Sequence, residues 1–362
     1  MSTDDELRVM VTFAALAYVA PIPGDGVHSV EQEELYRLGE LEHALADPRL
    51  PTQGEWAVVW VGLDDEQANF SYIAQHRSGQ QLVVAVRGTV VTPTLAGVVD
   101  AFEDLRVGEL AELNVGEQAV QVSRGVSTAF GKVTGARFEP PGKALSGMGL
   151  VEAVQHLVGA GVRTVSVTGH SLGGCVSTVL GLHLQAVLSD VSTQVFTFAA
   201  PTAGLQAFAD LFDDVFGGAT GASSAYRVVN RWDVVPNAWQ TLGDVGGWYP
   251  SPGPAQPLQV TGALALLILL PGANAYVQPS VNVITRNDAP YGGPGSLWDP
   301  QSEAPTVDGF TGQALFQHSV VHAYAPLLNV SLPVLPPERA PAPAPVALVE
   351  PGFVHAFGSV AP

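Results

Sequence analysis

An α/β fold with a mostly parallel central sheet flanked by helices is what this sequence predicts, on three observations. Residues 148–230 alternate helix-like and strand-like segments with short links, the pattern a doubly wound sheet requires. The run LVVAV at 82–86 is apolar at every position, as befits a strand covered on both faces. With 362 residues, 47% hydrophobic and 14% charged, the chain can bury a large core and has no disordered composition.

In chain order, residues 4–19 predict a helix with Val9, Val11, Phe13, Leu16 and Tyr18 on a mostly apolar face. From about residue 55 strands take over: WAVVWVGL, FSYIAQH and QLVVAVRGT. Residues 90–117 join an apolar stretch at 95–99 to six acids, among them Asp100, Glu103 and Asp104. The centre then predicts a helix at 148–160, a strand at 164–168, a helix at 172–188 and a strand at 194–199. A helix at 205–216 and a strand at 226–230 complete the alternation, and no repeat of fixed period is present.

After Asp233 the composition changes, because Asp244 is the one charged residue before Arg286. The apolar block at 263–270 is cut by Pro271 and Gly272, well short of the roughly 18 residues that span a bilayer. It is expected to be a buried strand or hairpin, with a lipid-touching cap as the alternative. From 331 to 362 the chain becomes a Pro/Ala-rich tail, expected to be an extended spacer whose PGFVHAF end could dock back.

The charge balance excludes some partners. Thirty-four acidic against 15 basic residues give a net charge of −19, which repels phosphate backbones and argues against nucleic acid. Neutral esters and lipids meet no such repulsion. A single cysteine, Cys175, excludes an internal disulfide and reads as a small core residue. The N-terminal segment carries acids where a signal peptide carries positive charge. No cleavable signal is therefore expected, which points to the cytoplasm or a leaderless export route.

The chemistry centres on Gly169-His170-Ser171-Leu172-Gly173, a G-x-S-x-G between the apolar strand TVSVT and a helical run. A serine on such a tight strand-to-helix turn has a strained backbone and projects its Oγ above the sheet edge. The following helix N-terminus offers positive potential to a developing oxyanion. Ser171 is therefore the candidate nucleophile of an α/β-hydrolase. Its base and acid should follow in the order Ser, Asp or Glu, His. Of nine histidines, His318 and His322 in FQHSVVHAYAPLL fit that order, since His183 shares the nucleophile's helix and His355 lies beyond the proline-rich arm. The two are spaced i, i+4 and could share a helix face; His318 is favoured because it opens the segment, and His322 remains the alternative. Of nine aspartates between Ser171 and His318, Asp233 directly follows the 226–230 strand and precedes Val-Val-Pro. An acid past the C-terminal end of a buried strand lies at the sheet edge where Ser171 emerges. The oxyanion donors are expected to be the Leu172 N–H and Thr89, at the end of the strand that closes in Arg87-Gly88-Thr89.

VVAVRGT, GHSLGG, FTFAAPTAG and YRVVNRWDVVP in this order closely resemble the class 3, fungal-lipase-like branch of the α/β-hydrolases, from about residue 57 to 328. The resemblance implies that Thr89 and Leu172 form the oxyanion hole, Ser171 attacks, Asp233 orients, and a histidine near 318 is the base. It also implies a lid near residues 91–103, ended by Asp104-Leu105. Three features depart from the family. The segment from Asp233 to His318 is long, giving an insertion near 240–310. Tyr324, the family's usual tyrosine after the histidine, lies two residues past His322 and six past His318. In VSRGV, Ser123 replaces a histidine at a position that is not catalytic.

The expected protein is thus a 1–330 hydrolase domain followed by the tail. Its expected activity is carboxylic ester hydrolysis through an acyl-enzyme, most concretely a triacylglycerol lipase at a lipid–water interface, with no metal, no cofactor and no transmembrane span. A phospholipase A1 or a soluble carboxylesterase of the feruloyl type would use the same triad, as would a peptidase or acyltransferase. A non-catalytic lipid-binding module on the same fold is the alternative of a different class, and the intact Ser, Asp and His candidates argue against it.

Overall fold

Among the described residues seven strands form one sheet in the order β1-β2-β3-β6-β7-β8-β9, and a separate hairpin pairs β4 with β5. The computed structural model describes residues 2–24, 26–90, 94–188, 191–217, 224–245 and 248–332. The tail from 333 onward and residues 91–93 of the expected lid lie outside the described residues.

The chain opens with helices α1 (Thr3–Leu16) and α2 (Val30–Leu45), each started by a capping box, Ser2 with Asp5 and Ser29 with Gln32. Strands β1 (Trp56–Leu63), β2 (Phe70–His76) and β3 (Gln81–Val86) follow and pair antiparallel. Helix α3 (Leu95–Glu103), the hairpin β4 (Leu110–Val115) and β5 (Gln118–Ser123), and helices α4 (Arg124–Gly135) and α5 (Leu150–Gly159) lead to the centre. There β6 (Thr164–His170), α6 (Leu172–Val187), β7 (Ser192–Phe198), α7 (Gln206–Phe216) and β8 (Ser224–Asn230) alternate as expected. Helix α8 (Leu258–Leu269), β9 (Val283–Arg286) and α9 (Val307–His318) close the described chain, with a π-type turn at Val320–Tyr324. From β3 through β9 every neighbouring pair is parallel.

Helices cover both faces. The Thr168 hydroxyl of β6 donates to the Met10 carbonyl of α1 at 3.3 Å. Val167, one residue earlier, points to the opposite face and is in register with Val195, against which Gly181 of α6 packs. Helix α1 thus lies on one side of the sheet and α6 on the other. The N-terminal helix was expected to bury one face, but Leu7 and every residue from Val9 to Leu16 are buried. The sheet covers one side of it and the turn at Val320–Tyr324 the other. Ser123 ends β5 and caps α4, its hydroxyl accepting from Val126 N, which gives that position a structural role.

The apolar block at 263–270 corrects the sequence-based expectation. It is part of α8, not a buried strand or hairpin. Val260 and Leu267 face inward, whereas Leu258, Leu266 and Leu269 are 86%, 65% and 71% exposed. An unbroken apolar run has no period to distinguish strand from helix, and its Leu and Ala content favours the helix. Among the described residues no helix is long and apolar enough to cross a membrane.

Candidate active site

Ser171 sits between β6 and α6 with φ 58° and ψ −131°, a left-handed backbone that a non-glycine residue adopts only under constraint. Its N–H donates to Phe198 O of β7, and its carbonyl accepts from Cys175 N, so both flanks of the turn are tied down. Glycine at 173 is required by the close approach of two elements: a Cβ there would fall 2.2 Å from Val86 O and 2.8 Å from Gly88 N. That approach brings the start of α6 against the end of β3, and so Leu172 against the Arg87-Gly88-Thr89 turn. Arg87 braces the turn from below, with Nη2 donating to Ala68 O at 2.7 Å.

Asp233 is fully buried three residues beyond β8. His318, the last residue of α9, reaches between the two, with Nε2 2.9 Å from Ser171 Oγ and Nδ1 2.9 Å from Asp233 Oδ2. With Nδ1–H donating to the carboxylate, Nε2 is the acceptor that faces the serine hydroxyl. Asp233 also accepts from Val235 N at 3.0 Å and from the Tyr324 hydroxyl at 2.7 Å. Burial, with the Asp233 charge beside it, pushes the Tyr324 phenol well above its ordinary range, so it stays a donor. Thr89, Leu172, Ser171 and His318 line one apolar cavity together with Phe102 and Leu105, which come from α3 and its exit. Its volume is about 40 Å³, room for a few waters and too little for an acyl chain. Ser171 is 9% exposed beneath this cover.

Residues 83–242 match the family model described as Lipase (class 3). This stretch is similar to the class 3 lipases. Over 76 residues the chain is 40% identical to a secreted mono- and diacylglycerol lipase 3 of Gibberella zeae, a match spanning 20% of this chain and 22% of that protein. The solved M37 lipase superposes with a TM-score of 0.71 at 22% identity, covering 91% of this chain and 93% of its own. The Lip2 lipase of Yarrowia lipolytica gives 0.50 at 16% identity, covering 80% and 81%. These likenesses establish the α/β-hydrolase fold.

Thr89, Ser171, Leu172 and His318 converge on one cavity, with Asp233 behind His318, from four separate places in the sequence. His322 does not join them. Helix α9 ends at His318, and Ser319 turns the chain with φ −62° and ψ 128°, so the two histidines do not share a helix face. His322 is exposed and stacks on Phe316. Asn230 and His170 were not foreseen as contributors, although both stand inside the motifs that were. Asn230 N donates to the Tyr324 hydroxyl at 3.1 Å, placing that tyrosine under Asp233.

Proposed function

We propose that the chain is a serine carboxylic ester hydrolase, and specifically an acylglycerol lipase acting through an acyl-enzyme. The observation that carries this reading is the His318 imidazole, 2.9 Å from both Ser171 Oγ and Asp233 Oδ2, at an apolar cavity. Ser171 Oγ attacks the ester carbonyl as His318 Nε2 takes its proton. The carbonyl oxygen becomes an oxyanion, stabilised by the N–H groups of Thr89 and Leu172. Leu172 is the first residue of α6, where a helix N–H has no intrahelical partner and the dipole is positive. Collapse of the intermediate breaks the C–O bond, and the histidinium gives its proton to the departing alcohol. Water, deprotonated by the same imidazole, then attacks the acyl-enzyme and releases the acid.

Helix α3 acts in this reading as the lid. Phe102 lines the cavity over Ser171 and also a second apolar cavity between α3, α8 and α9, with Val234 and Ala314 common to both. Moving α3 away would join the two into a path for an acyl chain. The exposed leucines of α8 border the same region and supply an apolar face for a lipid surface. This is the alternative role noted for the block at 263–270.

The test is turnover of p-nitrophenyl esters from C2 to C16 by the wild type and by Ser171→Ala, His318→Ala and His322→Ala. Activity that depends on Ser171 and His318 and not on His322 supports the reading. A wild type that cleaves none of the esters, or an active Ser171→Ala, overturns it. Rate followed through the solubility limit separates a lidded lipase, which jumps there, from a soluble esterase, which saturates smoothly.

A further inference from the structure

The last carbonyls of a helix have no intrahelical donors and must be satisfied from outside. At the end of α9 two of them are met by side chains. Gln317 O accepts from Asn230 Nδ2 at 2.8 Å, and His318 O lies 2.6 Å from His170 Nε2. Both donors are buried, Asn230 completely and His170 to within 4%. Their positions in the chain are the informative feature: His170 precedes Ser171, and Asn230 lies three residues before Asp233. The helix end that carries the base is therefore fastened, at consecutive residues, to the segment of the nucleophile and to the segment of the acid. Asn230 is held in turn by Asn287 and by the Gln317 side chain.

The hydrogen-bond partners determine the state of His170. Facing a carbonyl, its Nε2 carries the proton. Burial first, and the neighbouring His318 second, push its pKa well below the usual histidine value, so the ring is neutral. Nδ1 is then a bare acceptor, and the Tyr18 hydroxyl donates to it at 2.9 Å. Tyr18 reaches this point from just beyond α1, over Gly88, where a Cβ would stand 2.3 Å from the phenol oxygen. Two imidazoles thus lie beside Ser171 with ring centroids 4.6 Å apart. One is free to take a proton, and the other has both nitrogens committed.

We propose that His170 is a positioning residue: oriented by Tyr18, it caps the His318 carbonyl and, with Asn230 on Gln317, holds the His318 imidazole in register with Ser171 and Asp233. This rests on the ester-hydrolase reading above. Misplacing a reacting group by about 1 Å can cost on the order of 100-fold in rate, which sets the scale of the expected loss.

The experiment compares kcat, KM and the pH dependence of kcat/KM on p-nitrophenyl butyrate. Its variants are Ser171→Ala, His170→Gln, His170→Asn and Tyr18→Phe, each checked for folding by thermal melting. A glutamine amide reaches the place of Nε2, whereas an asparagine amide reaches only that of Nδ1. His170→Asn should lower kcat by about 10- to 100-fold with KM within about threefold, and should change the pH dependence of kcat/KM as His318 loosens from Asp233. His170→Gln, which restores a donor to the carbonyl, should recover kcat to within about fivefold, and Tyr18→Phe should lose about three- to tenfold. Folded His170→Asn with wild-type kcat and pH profile overturns the proposal, as do equal losses in the Gln and Asn variants, which indicate packing alone. If His170→Asn does not fold, near-isosteric Tyr18→Phe decides, and an unchanged kcat there overturns it. Turnover that is absent in the wild type or survives in Ser171→Ala is a failure of the triad reading itself. The clamp alone fails when Ser171-dependent turnover is intact and indifferent to His170.

Discussion

Ser171 holds a backbone conformation that costs about 1–3 kcal/mol, which the pairings of its N–H and carbonyl with β7 and α6 sustain. The arrangement fixes where Oγ points, so at this scale the tests are single substitutions. Ser171→Ala and His318→Ala should each reduce kcat by roughly four to six orders of magnitude, because triad members act as a unit. His322→Ala, on an exposed ring stacked over Phe316, should stay within about twofold of wild type in the same ester assay. Tyr324→Phe removes the donor to Asp233 and leaves the buried Asn230 N–H without an acceptor, which should destabilise the fold by about 1–3 kcal/mol in urea unfolding. His170 gives a pH prediction. Its folded-state pKa lies well below the usual value of 6.5, so the unfolded chain binds the proton first as pH falls. The stability it confers is fully present above about pH 6.5 and is lost progressively below, and unfolding curves of His170→Gln should show a flatter profile from about pH 6.5 to 5.

At the scale of elements, two helices decide how the site is covered and one carboxylate decides how the outer layer is held. Helix α3 places Phe102 in the cavity over Ser171, and α8 lies beside it with Leu258, Leu266 and Leu269 outward. Leu266→Asp with Leu269→Asp should lower the rate on an emulsified long-chain ester by more than about tenfold relative to the rate on a soluble C2 ester, because two charged groups replace roughly the apolar area that would enter the lipid. Equal rate ratios in variant and wild type would remove α8 from the lipid-facing role. On the other side of the molecule, Glu34 of α2 accepts from Leu63 N at the end of β1 and from Glu139 N in the link between α4 and α5. Burial pushes its carboxyl up to about 8 against the pull of those two donors. Glu34→Ala leaves both N–H groups unpaired and should cost about 2–4 kcal/mol by the same unfolding measurement.

Across the whole molecule the excess of acids matters more than any single pair. A net charge of −19 produces a field that repels anionic surfaces and leaves neutral ones unaffected. Adsorption to vesicles containing anionic lipid should therefore be weaker than to zwitterionic ones, and should rise as salt shortens the screening length to about 8–10 Å. The same comparison on a neutral emulsion should show little salt dependence. A response of equal size on both surfaces would mean that the acids lie away from the lipid-facing side.

By itself the sequence determined the sheet-and-helix order, the G-x-S-x-G turn and the place of Asp233, because each is a local signal. Strand β3 is apolar throughout, GHSLGG needs small residues at fixed spacing, and Asp233 directly follows a strand. Only the tertiary structure distinguished His318 from His322, since the difference is a break in α9 at Ser319 that four residues of spacing do not reveal. Only packing, too, could show which leucines of α8 are exposed, because a continuous apolar run carries no period to read. His170 and Asn230 lay in plain view within GHSLGG and YRVVNRWDVVP, yet their hydrogen bonds go to backbone carbonyls 148 and 87 residues away. A carbonyl is common to every residue and leaves no mark in a sequence, so such contacts become visible only once the chain is folded.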